Sequence, residues 1–267
     1  MKVKKKTIIV TGGGNGMGRE LVLQLLERGS RVVALDVNSS ALEETAKLAS
    51  EWADFLLVYS VDITNKEAVE KVVKTIIDQH HFVDGIINNA GIIQPFIDLN
   101  DLNYDLIERV MNVNFFGTLY ITKSVLPHLL KRPEAHIVNI SSMGGFLPVP
   151  GQTIYGATKA AVKLMTEGLA QELKDTNVKV SVVFPGAVGT NIMQNSGVTM
   201  PGGVDASQKS SMVLSPQEAA KKILDGIVKD KERIFIGKDS NAMNLMYRIN
   251  AKFASNLVGK QIKKLLK

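Results

Sequence analysis

The chain has 267 residues, 45% of them hydrophobic, enough for one sizeable buried core and, by length alone, for one or two domains. It contains no cysteine, which excludes disulfides, thiol catalysis and cysteine-ligated metals. Its net charge of +6 belongs to one end: Arg248, Lys252, Lys260, Lys263, Lys264 and Lys267 follow Ser240 with no acidic residue among them, so the near-neutral remainder is a poor nucleic-acid-binding face.

Lys2, Lys4, Lys5 and Lys6 open the chain, but only four apolar-leaning residues follow before a glycine cluster. A secretory signal needs an apolar stretch of about 7–15 residues, and no segment approaches the ~20 of a membrane span, so a cytoplasmic protein is expected. Thr7-Ile-Ile-Val-Thr11 then enters a turn holding Gly12, Gly14, Asn15, Gly16, Met17 and Gly18. Leu21, Val22, Leu25 and Leu26 recur behind it at helical spacing. Strand, glycine turn and helix in that order form the phosphate cradle of a dinucleotide-binding unit, with the pyrophosphate at the positive end of the helix. A second strand, 32–36, ends on Asp36, eighteen residues past Gly18. A carboxylate there can accept hydrogen bonds from both adenosine ribose hydroxyls and would repel a 2′-phosphate. With Asn15 and Val37 where a phosphate would want basic residues, NAD(H) is favoured over NADP(H).

Further strand-like runs at 56–61, 86–88, 137–140, 180–184 and 234–236 alternate with helical patterns. They predict a single Rossmann-type doubly wound α/β domain, about seven strands in a parallel sheet with helices on both faces, spanning 1–239. Thr64-Asn-Lys-Glu67 predicts a capping box, and Ser215-Pro216-Gln-Glu218 an N-cap with proline in the first turn. His80, His81, His128 and His136 lack metal-ligand spacing; no metal site is predicted, and the four are expected at solvated or helix-end positions.

The strand at 137–140 runs out through Ser142 into a glycine turn. Thirteen residues later Tyr155 is followed by Lys159, four apart and so on one helix face. A free phenol titrates near ~10. A neighbouring ammonium favours the phenolate and draws that pKa toward the working range of an acid–base catalyst. A hydroxyl at the strand end can hydrogen-bond the oxygen that the tyrosine protonates.

Two segments are expected to line a substrate pocket: the apolar stretch 143–151, stiffened by two prolines, and a lid over 191–212 carrying Met193, Met200 and Met212. Lys209 is the lid's one cation, so a neutral, largely apolar alcohol or ketone fits best. In the segment 240–267, Leu245, Ile249, Phe253 and Leu257 recur every four residues, followed by Val258, Ile262, Leu265 and Leu266. This predicts a basic amphipathic extension whose stripe covers the cleft or meets another subunit, or lies on an anionic membrane surface.

From about Lys5 to Gly237 these motifs resemble the short-chain dehydrogenase/reductase family. Thr11 to Gly18 resembles its cofactor loop, and Asp62-Ile63 the pair that holds adenine. Asn88-Asn89-Ala90-Gly91 resembles the motif that closes the central sheet over the cofactor. Pro185, Gly186, Val188 and Thr190 fall in a stretch similar to the one beside the nicotinamide. The resemblance implies a catalytic set of Asn114, Ser142, Tyr155 and Lys159. In it Tyr155 takes the alcohol proton as hydride leaves, and Lys159 tunes the tyrosine and binds the nicotinamide ribose. Ser142 orients the substrate oxygen, while Asn114 keeps a helix kinked around a proton-relay water. A homodimer or homotetramer is implied, commonly through the helix carrying Tyr155, where Gly156, Ala157, Ala160 and Ala161 would allow close approach. The expected function is interconversion of a secondary alcohol and a ketone on a steroid-, retinoid- or lipid-like substrate. The rivals are an NADPH-dependent 3-oxoacyl-thioester reductase and, from another class, a catalytically silent dinucleotide sensor.

Overall fold

The computed structural model describes residues 1–198 and 213–265. Seven strands, β1 (Thr7–Thr11), β2 (Arg31–Asp36), β3 (Leu56–Ser60), β4 (Gly85–Asn88), β5 (Ala135–Ile140), β6 (Val178–Pro185) and β7 (Arg233–Ile236), form one sheet in the order β3-β2-β1-β4-β5-β6-β7. All pairings are parallel, so the connections must cross over the faces, and helices do so on both sides. One face buries α1 (Gly16–Glu27), α2 (Ser39–Ala49) and α8 (Pro216–Val228), packing Leu21, Leu25, Ala220 and Ile223 on Val10 and Val32. The other buries α3 (Lys66–His80), α5 (Thr118–Leu129) and α6 (Thr153–Glu172), packing Val69, Ile76, Ile121 and Val125 on Ile9, Val33 and Ile86. Because both faces are covered, β1 and β4 are buried along their whole length and read as unbroken apolar runs rather than alternating ones. The order reverses between β1 and β4, where an open sheet leaves a crevice beyond the carboxyl ends of its strands.

Three local expectations are corrected. The helix after β3 is capped by Asn65, whose Oδ1 accepts from Ala68 N at 2.9 Å, not by a box at Thr64–Glu67. The Thr64 side chain turns back toward β3 instead, its hydroxyl donating to Asp62 Oδ1 at 2.8 Å. At α8 Ser215 caps the helix with Pro216 in the first turn as expected, and Ser215 and Glu218 are in addition bonded reciprocally as a capping box.

His136 is not solvated: it lies on the central strand β5 with 1% exposure. The Ser181 hydroxyl donates to Lys231 O at 2.6 Å and therefore accepts from His136 Nε2 at 2.7 Å, which fixes the Nε2–H tautomer. Burial pushes its pKa down from 6.5 to about 4. Folded and unfolded chains are both neutral at His136 above pH 6.5. Below that the unfolded chain alone takes the proton, so stability falls until the folded pKa of about 4, by roughly 3 kcal/mol. Thermal melting followed from about pH 7.5 to 4.5 should show a steeper loss than in His136→Gln.

The C-terminal stripe is split. After β7 come α9 (Lys238–Ile249) and α10 (Ala251–Leu265), broken at Asn250 with φ −148 and ψ 93. The break turns the register, so Met243, Met246, Tyr247, Ala254, Val258 and Ile262 pack on Met143, Phe146, Leu147 and Val149. Leu245, Ile249 and Phe253 face outward at 61%, 78% and 57% exposure. The side chains of Leu265 and Leu266 lie outside the described residues. So does most of the expected lid, 199–212 with Met200, Lys209 and Met212, which begins with α7 (Ile192–Asn195). Among the described residues no helix is long and apolar enough to cross a membrane.

Candidate active site

A cavity of about 760 Å³ opens at the carboxyl ends of β1, β2 and β4. Its first wall is the turn leaving β1. Gly12 and Gly16 sit at φ +67 and +51, the left-handed region where a side chain is strained. Asn15 caps α1 through Oδ1, which accepts from Gly16 N at 2.8 Å. A Cβ on Gly18 would collide with the carbonyl of Gly12, so the helix starts flush against the loop. Free amides at the positive end of α1 and a backbone open to close approach suit a pyrophosphate.

Asp36 ends β2 at the rim. Its Oδ2 accepts from Gly14 N and its Oδ1 from Asn38 N, both at 3.0 Å, so the carboxylate is fixed in place. Arg19 is drawn off by Gly14 O and Glu44, each at 2.7 Å. Arg109 and Lys159 are the only cations among the described cavity walls. Asp62 and Ile63 line the next stretch, with the Asp62 Oδ1 held by Thr64 N at 2.8 Å.

Asn89, Ala90 and Gly91 form the floor after β4. The Thr11 hydroxyl accepts from Asn89 N at 3.0 Å and Ala90 N at 3.1 Å, and Asn89 Nδ2 donates back to Thr11 O at 3.1 Å. Asn88 turns inward instead, donating to Asn139 Oδ1 at 2.7 Å and Thr122 Oγ1 at 2.9 Å. Pro185, Gly186, Val188 and Thr190 close the far wall. Asp239, from the first turn of α9, accepts from Ala187 N at 3.0 Å and steadies that wall.

Ser142, Tyr155 and Lys159 all reach this cavity. Lys159 Nζ donates to Ile140 O at 3.0 Å and stands 5.9 Å from the Tyr155 ring centre. Ser142 Oγ accepts from Gly144 N at 3.1 Å, and both Ser142 and Tyr155 flank Gly144. The charge state differs from expectation. Burial holds the Tyr155 phenol above its ordinary value, opposed by its hydrogen bond to Ser142. Burial also brings Lys159 down to about 8. Desolvation thus opposes both charged forms, the phenolate of Tyr155 and the ammonium of Lys159.

Two named residues sit apart from the cavity wall. Gly14 lies behind it, its amide spent on Asp36. Asn114 is fully buried in a π-helical turn, Asn112–Gly117, between α4 (Tyr104–Met111) and α5. Its Oδ1 accepts from Ile92 N and its Nδ2 donates to Ile92 O, both at 2.9 Å, with Thr158 Oγ1 at 3.0 Å. Gly117 makes room for the turn, because a Cβ there would meet Ile63 at 2.7 Å. Single π-turns of this kind interrupt helices frequently at functional sites.

The sequence profile described as short chain dehydrogenase matches residues 6–200, nearly three quarters of the chain. The chain belongs to the short-chain dehydrogenase family. It is an oxidoreductase of that family. A relative in Mycobacterium tuberculosis that carries the name oxidoreductase SadH is 33% identical, the match covering 97% of this chain and 96% of that one. Among solved structures, a Burkholderia phymatum short chain dehydrogenase/reductase in complex with NAD superposes with TM-score 0.83 at 23% identity, covering 94% of this chain and 95% of that one, a likeness of fold. A Burkholderia cenocepacia short chain dehydrogenase in complex with NADP gives 0.80 at 25% identity, covering 97% and 99%. In this short-chain dehydrogenase, sequence reasoning passed over Thr11, Thr158 and Asp239. Thr11 closes a run the motif already contained; nothing near Thr158 or Asp239 in sequence points to Asn114 or Ala187.

Proposed function

We propose that this short-chain dehydrogenase interconverts a neutral, largely apolar secondary alcohol and its ketone, with Asn114, Ser142, Tyr155 and Lys159 as its catalytic set and NAD(H) as the preferred cofactor. The observation carrying the reading is the convergence of Ser142, Tyr155 and Lys159 on the same cavity as the glycine turn and Asp36. The residues fit a dinucleotide: the cradle at Gly12 and Gly18 admits no Cβ, and the fixed Asp36 carboxylate would accept from ribose hydroxyls and repel a 2′-phosphate. When bound, the nicotinamide gives or takes the hydride. Asp62 and Ile63 would hold the adenine; Pro185, Gly186, Val188 and Thr190 would hold the nicotinamide end.

Tyr155 carries the proton at its phenolic oxygen, taking it from the alcohol or giving it to the ketone oxygen. Ser142 holds that oxygen by a hydrogen bond and favours the phenolate. Lys159, with its pKa near 8, can pass a proton close to neutrality. Asn114 fixes Ile92 and keeps the π-turn open for exchange with solvent. The start of the lid, with Ile192 in the cavity wall, offers no cation to grip an acidic substrate. The stretch 143–151, expected to line the pocket, is not part of that wall and packs its apolar side chains against α9 and α10 instead.

Initial rates across steroid, retinoid, acyl-thioester, sugar and aliphatic substrates, with NAD(H) and NADP(H) in parallel, test this reading. NAD-linked turnover of a lipid-like alcohol is expected, and Asp36→Ser should shift the preference toward NADP(H) by about tenfold or more, as removal of one repelling charge implies. NADPH-linked reduction of an acyl-thioester would sink it, and dinucleotide binding without any turnover would favour the sensor.

The unit 1–239 is the catalytic body and 240–267 an extension. Exposed Ala157, Ala160 and Leu164 line one side of α6 and suit a homodimer contact. The outward ridge of Leu245, Ile249 and Phe253, with Arg248 and Lys252 beside it, suits an anionic lipid surface. Sedimentation with phosphatidylglycerol vesicles should exceed that with phosphatidylcholine, and Ile249→Ser with Phe253→Ser should abolish it. Equal sedimentation with both would remove the lipid assignment.

A further inference from the structure

Gln94 lies six residues beyond β4 and is fully buried, at 0% exposure. Its Oε1 accepts from Ile154 N at 2.9 Å and Tyr155 N at 3.0 Å. These are first-turn amides of α6, which no intrahelical carbonyl can reach. Its Nε2 donates to Gly151 O at 3.0 Å, and its own carbonyl accepts from Gln152 Nε2 at 2.8 Å. Gln152 occupies the N-cap position of α6 but gives the helix no side-chain cap. The capping atom therefore comes from a residue 60 positions upstream. Gly151, at φ +75, presses its turn against Phe96, where a Cβ would stand 3.2 Å from the carbonyl carbon.

The residues before Gln94 are tied just as firmly. Both backbone groups of Ile92 are held by the Asn114 side chain, and Ile93 N donates to Ser196 Oγ, behind α7, at 3.0 Å. Three successive residues thus bind the π-turn, the start of the lid and the first turn of α6.

We propose that Gln94 is a positioning residue for Tyr155, fixing the first turn of α6 and so the place of the phenol relative to Ser142 and Lys159. Tyr155 is the third residue of α6, within reach of fraying, whereas Lys159 lies a turn deeper and is held separately by Ile140 O. Loss of the Gln94 cap would move the phenol while leaving the lysine and the dinucleotide cradle in place. The inference takes from the proposed function only that Tyr155 carries the proton.

The test compares Gln94→Met, which keeps the length of the side chain and removes its hydrogen bonds, with Gln94→Glu, which keeps an oxygen facing the two amides. For Gln94→Met, kcat on any substrate the wild type turns over should fall about tenfold to a hundredfold, the loss typical of a small misplacement. KM and dinucleotide affinity should hardly change. The phenolate absorbance of Tyr155, identified as the component missing from Tyr155→Phe, should titrate at higher pH. Gln94→Glu should recover most of the lost kcat. Wild-type kcat and titration in Gln94→Met, or dinucleotide affinity lost in step with kcat, would overturn the assignment. If Gln94→Met does not fold, Gln94→Glu should exceed the shorter Gln94→Asn in kcat by about tenfold, and equality between them overturns it. If the wild type turns over no alcohol or ketone, the functional reading fails, while the titration still decides the role of Gln94.

Discussion

Replacing Tyr155 with phenylalanine is expected to lower turnover about 10²–10⁴-fold, the usual worth of a positioned proton carrier. The substitution removes one oxygen from a half-buried side chain in the cavity wall, whose hydroxyl meets Ser142 and whose ring centre stands 5.9 Å from the Lys159 ammonium. Neither the glycine turn nor Asp36 touches it, so dinucleotide affinity, measured by calorimetry, should be preserved. The pH profile adds a second check. Burial raises the phenol and lowers Lys159 to about 8, so the protein alone does not create a standing phenolate at neutral pH. Oxidation should therefore quicken as pH rises, the direction in which Tyr155 loses its proton. A Tyr155→Phe enzyme retaining a tenth of wild-type turnover would remove the tyrosine from its role.

Gly18→Ala is the second large effect, and it acts on binding rather than chemistry. The added Cβ would meet the Gly12 carbonyl and lie 2.7 Å from the Gly12 carbonyl carbon. These are backbone atoms of the turn and cannot swing aside, so either the turn opens or α1 shifts along its axis. Overpacking of this kind costs about 1–3 kcal/mol, and a displaced cradle should lower dinucleotide affinity by at least about tenfold, which needs only 1.4 kcal/mol. Gly168→Ala is the control: it lies within α6 with nothing within 4 Å of the added carbon. That change should raise the melting temperature slightly, since alanine is favoured over glycine in a helix by about 1 kcal/mol. Dinucleotide affinity within twofold of wild type in Gly18→Ala would show that the turn does not carry the pyrophosphate.

How much was legible in the sequence depended on how local the signal was. The seven strands all lie within two residues of their predicted ends, because β-branched runs bounded by glycine and polar turns leave few alternatives. The glycine turn, Asp36 at the end of β2, and the i, i+4 pair of Tyr155 and Lys159 are likewise written in short stretches of chain. Cap assignment failed at Thr64 because two adjacent residues could both cap; Asn65 does so, while the Thr64 side chain turns back to Asp62.

Other features have no local signature. His136 is buried because β5 lies in the middle of the sheet, and its partner Ser181 comes from β6. Gln94 caps a helix 60 residues away, and Asn114 spends its side chain on Ile92 and Thr158. The break at Asn250 sends Leu245, Ile249 and Phe253 outward, although their spacing alone promised a buried stripe. The sequence by itself determined the elements, the parallel α/β class and the residue types around the cavity, since these follow from periodicity and backbone preference. Only the tertiary structure decided which polar groups are paired, which apolar face is covered and how burial sets the charge of Tyr155 and Lys159. Those depend on neighbours distant in the chain, and on the loss of water that their approach imposes.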